Sequence, residues 1–391
     1  MLLENNPYPE DVRVRSEASS LTRAGYDVEV ICPRGAGQAG RADIDGVRVR
    51  RLRIIDGSSH GVRGFVTEYL SAAVLLNLAA VRALAGGSRV LHLHNPPDIF
   101  FPAGALFRIA GRKVVFDHHD LFPETLAVKF GSRAAISIAN VCQRLTFAVA
   151  SHVIATNQSY AEVALASGKA ADRVTIVRNG PPIGWTLQDN GEPRASSSPV
   201  QLLYLGAISV QDGVAGLAPI LADLRAGPWP VDLRLTVVGD GDGREEFERA
   251  LAGHGIADRV TFTGWVSAER VPELLAQADV CLDPAPPSDV NQRSTMTKIA
   301  EYLALGKPVV AYDLLETRRT AGDAAILVEP GNEKAFGEAI RSLAHDPELR
   351  LRLRDKARRR AASLTWERSE QALLAAYAAL GSCTAINRRC R

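Results

Sequence analysis

Cysteine is scarce in this chain of 391 residues, which carries five cysteines scattered along its length. No two of them form a CxxC pair, so the sequence lacks a zinc-finger or dithiol redox signature. Three lie in apolar runs and are expected to be buried thiols, whereas the other two lie in the tail. This usage fits a reducing compartment, and we expect a cytoplasmic location. The three are Cys32, Cys142 and Cys281, and the tail holds Cys383 and Cys390.

Long apolar runs are also missing. The longest, from Leu70 to Leu84, is interrupted by Asn77 and Arg82, which makes it too short and too broken to span a bilayer. A buried amphipathic helix is expected there instead. The first residues show no signal-peptide pattern, in agreement with a cytoplasmic location.

The chain carries almost no net charge, with 46 Lys and Arg against 44 Asp and Glu. This balance argues neither for nor against nucleic acid, and no nucleic-acid partner is expected. Basic residues prevail in residues 1–185, and Arg48, Arg50, Arg51 and Arg53 lie close together. Such a distribution suits either an anionic or membrane-surface partner or an unevenly charged solvated surface. On a strand Arg51 and Arg53 share one face, so we expect an arginine pair to meet anionic headgroups at the inner face of the membrane.

Strand-like and helix-like runs alternate along the chain in two series. This alternation is typical of an α/β fold with parallel sheets covered by helices on both faces. Because the chain is too long for one ordinary core, we predict two Rossmann-like, doubly wound domains facing across a cleft. The predicted strands are 27–31, 90–94, 113–117, 153–156, 174–177, 201–205, 234–238, 260–262, 280–284, 308–312 and 325–328.

The segment 179–200 is rich in Pro, Gly, Ser and Asn and indicates a linker. The predicted organisation is a first domain over 1–180, a linker over 181–200 and a second domain over 201–365. Residues 366–391 form a C-terminal helix and tail, and the helix is expected to pack back on the first domain. The first strand has only a few apolar residues before a polar loop, so we expect either a true start upstream of Met1 or a stunted strand.

Polar residues follow the first strand and open a helix. Asp11, Arg13 and Glu17 are placed where unpaired backbone N–H groups attract anions. The alternative is that they cap the helix and form surface pairs.

A second group ends the apolar run "LHLHNPPDIF". His94 and Asn95 lie at the carboxyl end of a predicted strand, where a cleft would open. His92 shares a face with His94 because strand side chains alternate. Two histidines with no third ligand nearby make a weak metal site.

A third group ends the run "VVFDHHDLFPE". It places several titratable groups at the end of a strand, where they are costly unless they face water or a ligand. A neutral histidine there can bond a sugar hydroxyl or carry a proton; the alternative is a histidine that caps the next helix. The group consists of Asp117, His118, His119 and Asp120, with Glu124 one turn later.

The second half holds two glycine- or hydroxyl-rich loops. "VVGDGDGREEF" is a truncated dinucleotide fingerprint, and the next strand ends in Thr263 and Gly264 without the matching acidic residue, which disfavours a nicotinamide site.

"QRSTMTKIAEYLALGKPVVAYDLLE" places Lys298 in the first turn of a helix, where backbone N–H groups and the dipole make a positive end. Glu301 follows at i+3 and can accept two hydrogen bonds from a ribose diol. The hydroxyls of Ser294, Thr295 and Thr297 can cap the helix or meet a phosphate.

The segments "FDHHDLFPE", "LLYLGAISVQDGV", "RVTFTGWVSAERVPELLAQADVCLDP" and "TKIAEYLALGKPVVAYDLLE" occur in this order. Together they resemble a retaining glycosyltransferase of family 4 with the GT-B fold, over roughly residues 2–380. Within the family, the chain is most similar to bacterial surface-polysaccharide and O-antigen transferases. The "EYxAxGKPVVA" block is the specific part of the resemblance.

The resemblance implies a nucleotide-sugar donor, with uridine as the expected base, held mainly by the second domain. It places Glu301 on the ribose, His119 beside the donor sugar and Gly206 near the diphosphate. Gly239, Trp265 and the segment Ser294, Thr295 and Met296 are also assigned to the donor side.

The resemblance implies an acceptor held mainly by the first domain. The acceptor is a sugar, a lipid-linked molecule or a small molecule, and the assigned residues are Asp11, Arg13, His94, Asn95 and Asp120.

The chain departs from the family pattern at three positions. The first glutamate of the paired-glutamate motif is Arg293 here, and Ala207 and Asp212 stand where Arg and Lys are usual. We therefore expect Arg293 and Lys298 to replace the usual diphosphate clamp.

The resemblance implies a reaction in which the leaving phosphate takes the acceptor proton while fixed charges stabilise its departure. The expected catalytic residues are Arg293, Lys298 and His119, and neither a metal nor a cofactor is required. Three alternatives stay open: transfer to a small natural-product acceptor, a sugar-nucleotide epimerase of the same fold, and a non-catalytic nucleotide-sugar-binding subunit.

Overall fold

The computed structural model describes residues 1–55, 57, 61–181, 185, 199–227 and 230–381. The chain divides into two compact units. Unit 1 comprises Met1–Asn179 and Glu367–Arg391, and unit 2 comprises Gly180–Trp366. Most of the predicted linker, the last residues of the tail, Cys383 and Cys390 lie outside the described residues.

Unit 1 is built around parallel strands with one antiparallel edge strand. Its sheets have the orders β1-β3-β2 and β4-β5-β6-β7. The strands are β1 (Glu29–Pro33), β2 (Arg41–Ile44), β3 (Val47–Leu52), β4 (Val90–His94), β5 (Lys113–His118), β6 (His152–Ala155) and β7 (Val174–Ile176). The helices are α1 (Val12–Arg23), α2 (Gly61–Ala85), α3 (Phe101–Ile109), α4 (Phe122–Phe130), α5 (Arg133–Val149), α6 (Gln158–Ala166) and, from the end of the chain, α15 (Trp366–Ala379).

The first strand is reduced to a single bridging residue. Leu2 pairs in parallel with Ile31 of β1 and with Leu93 of β4, and so joins the two sheets. Its N–H donates to the His92 carbonyl at 2.8 Å, and its carbonyl accepts from His94 N at 3.0 Å. In this sequence the strand is short, which agrees with both alternatives. The polar loop after Leu2 therefore begins at the carboxyl edge of the sheet.

Unit 2 contains one six-stranded sheet in the order β10-β9-β8-β11-β12-β13, and every pairing in it is parallel. Buried apolar clusters lie on both of its faces, so the sheet is doubly wound as predicted. The strands are β8 (Val200–Leu205), β9 (Leu233–Val238), β10 (Val260–Gly264), β11 (Val280–Asp283), β12 (Val309–Tyr312) and β13 (Ile326–Val328). The helices are α7 (Leu217–Ala226), α8 (Arg244–Gly253), α9 (Val271–Gln277), α10 (Asp289–Arg293), α11 (Thr297–Ala304), α12 (Leu315–Ala321), α13 (Glu333–His345) and α14 (Pro347–Ala361).

Each of the eleven predicted strands overlaps a strand of the structure, and the hairpin of β2 and β3 was missed. Its two-residue turn is Asp45–Gly46, and both residues have positive φ (53° and 80°). Asp-Gly between two strands is a strong hairpin signal, because a type I′ turn needs positive φ at both positions. β2 buries none of its residues fully, which explains why its sequence does not read as a core strand.

The apolar run near Leu70 forms a helix as expected, but the expectations that it is buried and too short to span a bilayer are wrong. The helix α2 has 25 residues, and by length and composition its part Gly64–Ala85 is long and apolar enough to cross a membrane. Only 28% of that apolar stretch is buried. One face packs into the core through Ala72, Leu76, Ala79 and Ala80, and much of the rest is exposed.

The arginine pair expected to meet a membrane is not exposed as a pair. The Arg51 side chain is buried, and its guanidinium donates to the carbonyls of Tyr8 and Ala39. Arg48 and Arg50 form ion pairs with acidic residues of the same unit. The arginines of β3 therefore do not form the predicted docking surface.

Cysteine placement agrees with the prediction for two of the three non-tail residues. Cys32 and Cys281 are buried free thiols, whereas Cys142 is partly exposed. Burial raises the pKa of the Cys281 thiol to about 12, so this thiol is unreactive at neutral pH.

Candidate active site

A buried carboxylate, Asp117, organises the polar groups at the carboxyl end of the unit 1 sheet. The residue lies near the end of β5, and its side chain is fully buried. The Arg13 guanidinium donates two hydrogen bonds to this carboxylate, from Nε to Oδ2 and from Nη2 to Oδ1, each of 2.7 Å. Burial alone would raise the pKa of Asp117, but the Arg13 charge and the hydrogen bonds from two histidines hold that pKa well below its usual range. Asp117 is therefore an ionised anchor.

The donors of Arg13 are used inside unit 1. Besides Asp117, its Nη1 donates to Val177 O at 2.9 Å and to Asn179 Oδ1 at 2.8 Å, and its Nη2 lies 3.1 Å from Glu17 Oε1. The side chain is buried, so the alternative of a surface pair is wrong, and the assignment of Arg13 to the acceptor stays a prediction. Arg13 holds Asp117 in place.

Two histidines hydrogen-bond to the same oxygen of Asp117. His94 Nδ1 lies 3.0 Å and His119 Nδ1 lies 3.3 Å from Asp117 Oδ2. Because an ionised carboxylate only accepts, each Nδ1 is assigned as the donor, which leaves Nε2 of a neutral ring as the base. His119 is partly exposed, whereas His94 is buried and its pKa is lowered by burial. His119 is thus more accessible to a substrate than His94, and the acceptor-side assignment of His94 stays a prediction.

Asn95 ties the strand β4 to the loop that carries His119. Its Oδ1 accepts from the backbone N–H groups of His119 and Asp120 at 2.8 and 3.2 Å, and its Nδ2 donates to Asp120 O at 2.8 Å. The side chain is buried, so Asn95 positions the loop, and its assignment to the acceptor stays a prediction.

The remaining unit 1 candidates have local roles. Asp11 caps α1 by accepting from Val14 N at 2.9 Å, as the capping alternative predicted. No side chain among the described residues caps α4, so His119 is not a helix cap. Asp120 is partly exposed, and burial raises its pKa. Its carboxylate accepts from Thr125 Oγ1 at 3.4 Å.

The sequence indicated no third metal ligand near the two histidines of β4, and the structure shows that this prediction was wrong. Ligand atoms of Glu17, His92, His94 and Asp117 all lie within 4.8 Å of one another. The rings of His92 and His94 stack with centroids 4.3 Å apart, and His92 Nδ1 lies 2.8 Å from the Tyr377 hydroxyl. Both oxygens of Asp117 are already engaged by Arg13. The expectation that no metal is required stays a prediction.

In unit 2 two glycine loops pack against each other. Gly206 follows β8 with φ of +140°, and Gly239 follows β9 with φ of +134°. A Cβ on Gly239 would lie 2.0 Å from the Gly206 carbonyl oxygen, which no side chain can tolerate. The GDGDG fragment thus meets a packing demand, which explains why it lacks the rest of a dinucleotide fingerprint.

The Lys298 ammonium lies beside Gly206 in a buried polar cluster. A Cβ on Gly206 would lie 3.3 Å from Lys298 Nζ. Nζ donates to the Tyr204 hydroxyl at 3.0 Å and lies 3.2 Å from Asp212 Oδ1 and 3.5 Å from Asp283 Oδ1. Burial alone would lower the pKa of Lys298, but Asp283 and its other neighbours raise it, so the ammonium stays charged. Two carboxylates already offset this charge.

The N-cap residue of α11 is Met296, and its side chain makes no capping hydrogen bond. Capping by Ser294, Thr295 or Thr297 therefore stays a prediction. Arg293 ends the preceding helix α10 and is exposed, whereas Ser294 and Thr295 are partly exposed in the connecting segment. The N–H of Ile299 donates to Met296 O at 3.0 Å, and the N–H groups of Thr297 and Lys298 receive no acceptor from the Met296 side chain.

Glu301 lies on α11 one turn after its start and is partly exposed. Burial raises the pKa of Glu301 to about 7, and the nearby Lys298 charge opposes this rise. Trp265 follows β10 and is 72% exposed, so its ring is available to a ligand.

Sequence reasoning placed Asp117 among the titratable groups at the end of a strand without giving it the organising role, and it missed Tyr204 and Asp283. Asp117 and Asp283 each end an apolar run that becomes a buried strand, and this position was the available signal. For Tyr204, which lies inside an apolar run, no sequence signal distinguishes a polar role from core packing.

Comparison with known proteins matches both units. A family profile described as "Glycosyl transferase 4-like domain" matches residues 11–180, and one described as "Glycosyl transferases group 1" matches residues 199–346. The crystal structure of Anabaena HepE in complex with UDP and glucose superposes with a TM-score of 0.69 at 18% identity, covering 98% of this chain and 100% of that one. The chain belongs to the family 4 glycosyltransferases. Its fold is GT-B, as the sequence resemblance implied.

Two curated relatives of this glycosyltransferase differ in their substrates. Alpha-D-kanosaminyltransferase of Streptomyces kanamyceticus is 29% identical over 159 residues, which is 40% of this chain and 39% of the relative. A GDP-mannose-dependent alpha-(1-6)-phosphatidylinositol dimannoside mannosyltransferase of Mycobacterium tuberculosis is 33% identical over 203 residues, which is 50% of this chain and 47% of the relative. The matches thus span less than half the length of each relative.

Proposed function

We propose that this glycosyltransferase moves a sugar, with retention of anomeric configuration, from a nucleotide diphosphate sugar to a hydroxyl group. The donor is a UDP-sugar, and the acceptor is a lipid-linked sugar of a cell-surface glycoconjugate. The enzyme works in the cytoplasm, at the inner face of the membrane. It needs no metal and no cofactor.

The observation that carries the proposal is the arrangement around the start of α11. The N-cap residue Met296 offers no side-chain acceptor, and the backbone N–H groups and dipole at this helix start suit an anion such as a diphosphate. Glu301 lies one turn further along the same helix, where its carboxylate can accept from the two hydroxyls of a ribose. The lack of a Cβ on Gly206 lets its backbone lie directly beside the Lys298 side chain.

Leaving-group stabilisation is assigned to the α11 N–H groups and Arg293. The Lys298 ammonium is held by Asp212 and Asp283, so its role is to shape the loop after β8. His119, fixed by Asp117, is assigned to the donor sugar. The leaving phosphate takes the proton of the acceptor hydroxyl, and the acceptor attacks from the same face of the sugar that the phosphate leaves. This route needs no carboxylate nucleophile on the enzyme.

The uridine base is proposed because the HepE structure contains UDP. The mannosyltransferase relative depends on GDP-mannose, so guanosine is the competing base. Calorimetric titration of the protein with UDP and with GDP decides between them. Tighter binding of UDP supports the proposal, and tighter binding of GDP contradicts it.

Glu301→Ala is expected to weaken UDP binding by about 1–3 kcal/mol, since the ribose hydroxyls lose a charged acceptor. Because the pKa of Glu301 is about 7, the affinity of the wild-type protein should rise roughly tenfold between pH 6 and pH 8. The alanine variant removes that part of the pH dependence and so corrects for titration of UDP itself. Equal UDP affinities of the two proteins at pH 8 would contradict the assignment.

A folding control uses the same pKa shift. An acid whose pKa is raised from 4.5 to about 7 by folding loses stability as pH rises through that window, because the folded state keeps its proton longer. Glu301→Gln should therefore raise the melting temperature at pH 8 and leave it unchanged near pH 4. A Glu301→Gln protein that is more stable at pH 8 and still binds UDP more weakly than wild type would show that the weaker binding does not come from unfolding.

A further inference from the structure

The strongest unassigned feature is the outer face of α2. Val66, Leu70, Val74 and Leu78 recur every four residues and are all exposed, with Leu70 at 61% and Val74 at 57%. Residues four apart lie on one side of a helix, so these side chains form a continuous apolar stripe. The polar Asn77 does not interrupt it, because its amide bonds to the backbone of residues 73, 99 and 103.

The stripe continues onto two neighbouring helices of unit 1. Helix α3 packs against both α2 and α5, so the three helices form one layer. On α3, Leu106 and Ile109 are exposed, and on α5, Ile138, Val141 and Leu145 are exposed. We refer to the exposed side of this layer as the α2–α3–α5 face. An apolar surface of this extent indicates a partner, since soluble proteins rarely expose such surfaces.

Charge on the same helices favours an anionic partner. Among their described side chains, Arg82, Arg108, Arg133 and Arg144 are all exposed. The single acidic side chain there is Glu68, and it is partly buried. Arginines around an apolar stripe match a bilayer surface, where the stripe enters the acyl boundary and the guanidinium groups meet anionic headgroups.

The packing of α2 against the core indicates whether this helix lies on a membrane surface or crosses the bilayer. Its inner residues Ala72, Leu76, Ala79 and Ala80 belong to the same core cluster as Leu93 of β4. A helix that crossed the bilayer would remove these residues from the core. The helix is therefore held to unit 1 with one face covered and the other free.

We propose that the α2–α3–α5 face docks this glycosyltransferase on an anionic bilayer surface as a peripheral, partly inserted contact. The proposal extends the lipid-linked acceptor proposed above, and it replaces the arginine pair of β3 as the docking surface. Vesicle binding requires no turnover, so its failure would leave the donor-site assignment intact.

Flotation with vesicles tests the proposal, comparing phosphatidylcholine alone with phosphatidylcholine containing phosphatidylglycerol. The wild-type protein should float with the anionic vesicles at low salt. Leu70→Glu with Val74→Glu should lower the bound fraction at least about tenfold, since charge on the stripe opposes insertion. The matched control is Val210→Glu, because Val210 is an exposed apolar residue of unit 2 and its replacement should change nothing.

A charge variant separates the electrostatic contribution of the arginines to vesicle binding from the apolar contribution of the stripe. Arg108→Glu with Arg144→Glu should weaken binding to anionic vesicles and remove its salt dependence. Unchanged urea unfolding of each variant shows that the surface changed and not the fold. The proposal is overturned if the wild-type protein does not float, or if the stripe variant floats as well as the wild type. It is also overturned if sedimentation shows a wild-type dimer that the stripe variant dissociates, because the face would then bind a second copy.

Discussion

Asp117→Asn is expected to reduce sugar transfer by about 10²-fold, the scale of effect that follows when a substrate-positioning group is misplaced. The neutral amide offers only one acceptor oxygen in place of the two that Arg13 and the histidines use. His119 then loses the ionised partner that fixes its ring and its tautomer. The same change leaves the Arg13 charge buried without its main partner, at a cost of about 3–5 kcal/mol of unfolding free energy.

Urea unfolding and steady-state transfer measure the two effects separately. Asp98→Asn is the matched control, because Asp98 is an equally buried carboxylate of unit 1 and burial raises its pKa to about 8. It is mainly neutral at pH 7, so its replacement by Asn should cost little stability. His119→Ala should reproduce the loss of transfer without the loss of stability and should leave UDP binding intact. An active, stable Asp117→Asn protein would contradict the role given to this cluster.

Lys298→Met is expected to destabilise the protein by about 3–5 kcal/mol, since it leaves the carboxylate of Asp283 buried without a counter-charge. Adding Asp283→Asn to this variant should restore much of the lost stability, because the uncompensated charge is then gone. Lys334→Met serves as control, because Lys334 is exposed on α13 and exposed changes usually stay within about 0.5 kcal/mol.

Urea unfolding of the single, double and control variants measures this coupling. UDP affinity of the stable double variant then tests the role of the ammonium. A UDP affinity close to wild type agrees with the proposal that Lys298 shapes the loop after β8. A large loss of UDP affinity would instead show that the ammonium binds the diphosphate, as the sequence suggested. A Lys298→Met protein as stable as the control would contradict the buried ion cluster itself.

The parallel sheets were predictable from the sequence because their strands are short apolar runs at regular intervals. The strand at 90–94 was placed correctly to the residue, since "VLHLH" is followed at once by a polar, proline-rich loop. The hairpin at Arg41–Leu52 escaped notice because β2 has no fully buried residue, so its sequence lacks the apolar signal of a core strand.

The candidate site was predictable in position but not in role. His119 and Glu301 were singled out at the ends of core elements, and both are partly exposed there. Arg13 and Lys298 were expected to meet substrates, but each is buried against carboxylates distant in sequence. Local sequence cannot show which carboxylate folding brings to a cation, because such pairs depend on strand order.

A crystal structure of the protein with UDP tests the central assignment most directly. The account predicts a diphosphate at the N–H groups that open α11, next to Gly206, with both ribose hydroxyls within hydrogen-bond distance of the Glu301 carboxylate. A nucleotide bound elsewhere in unit 2, or a ribose that does not contact Glu301, would contradict it.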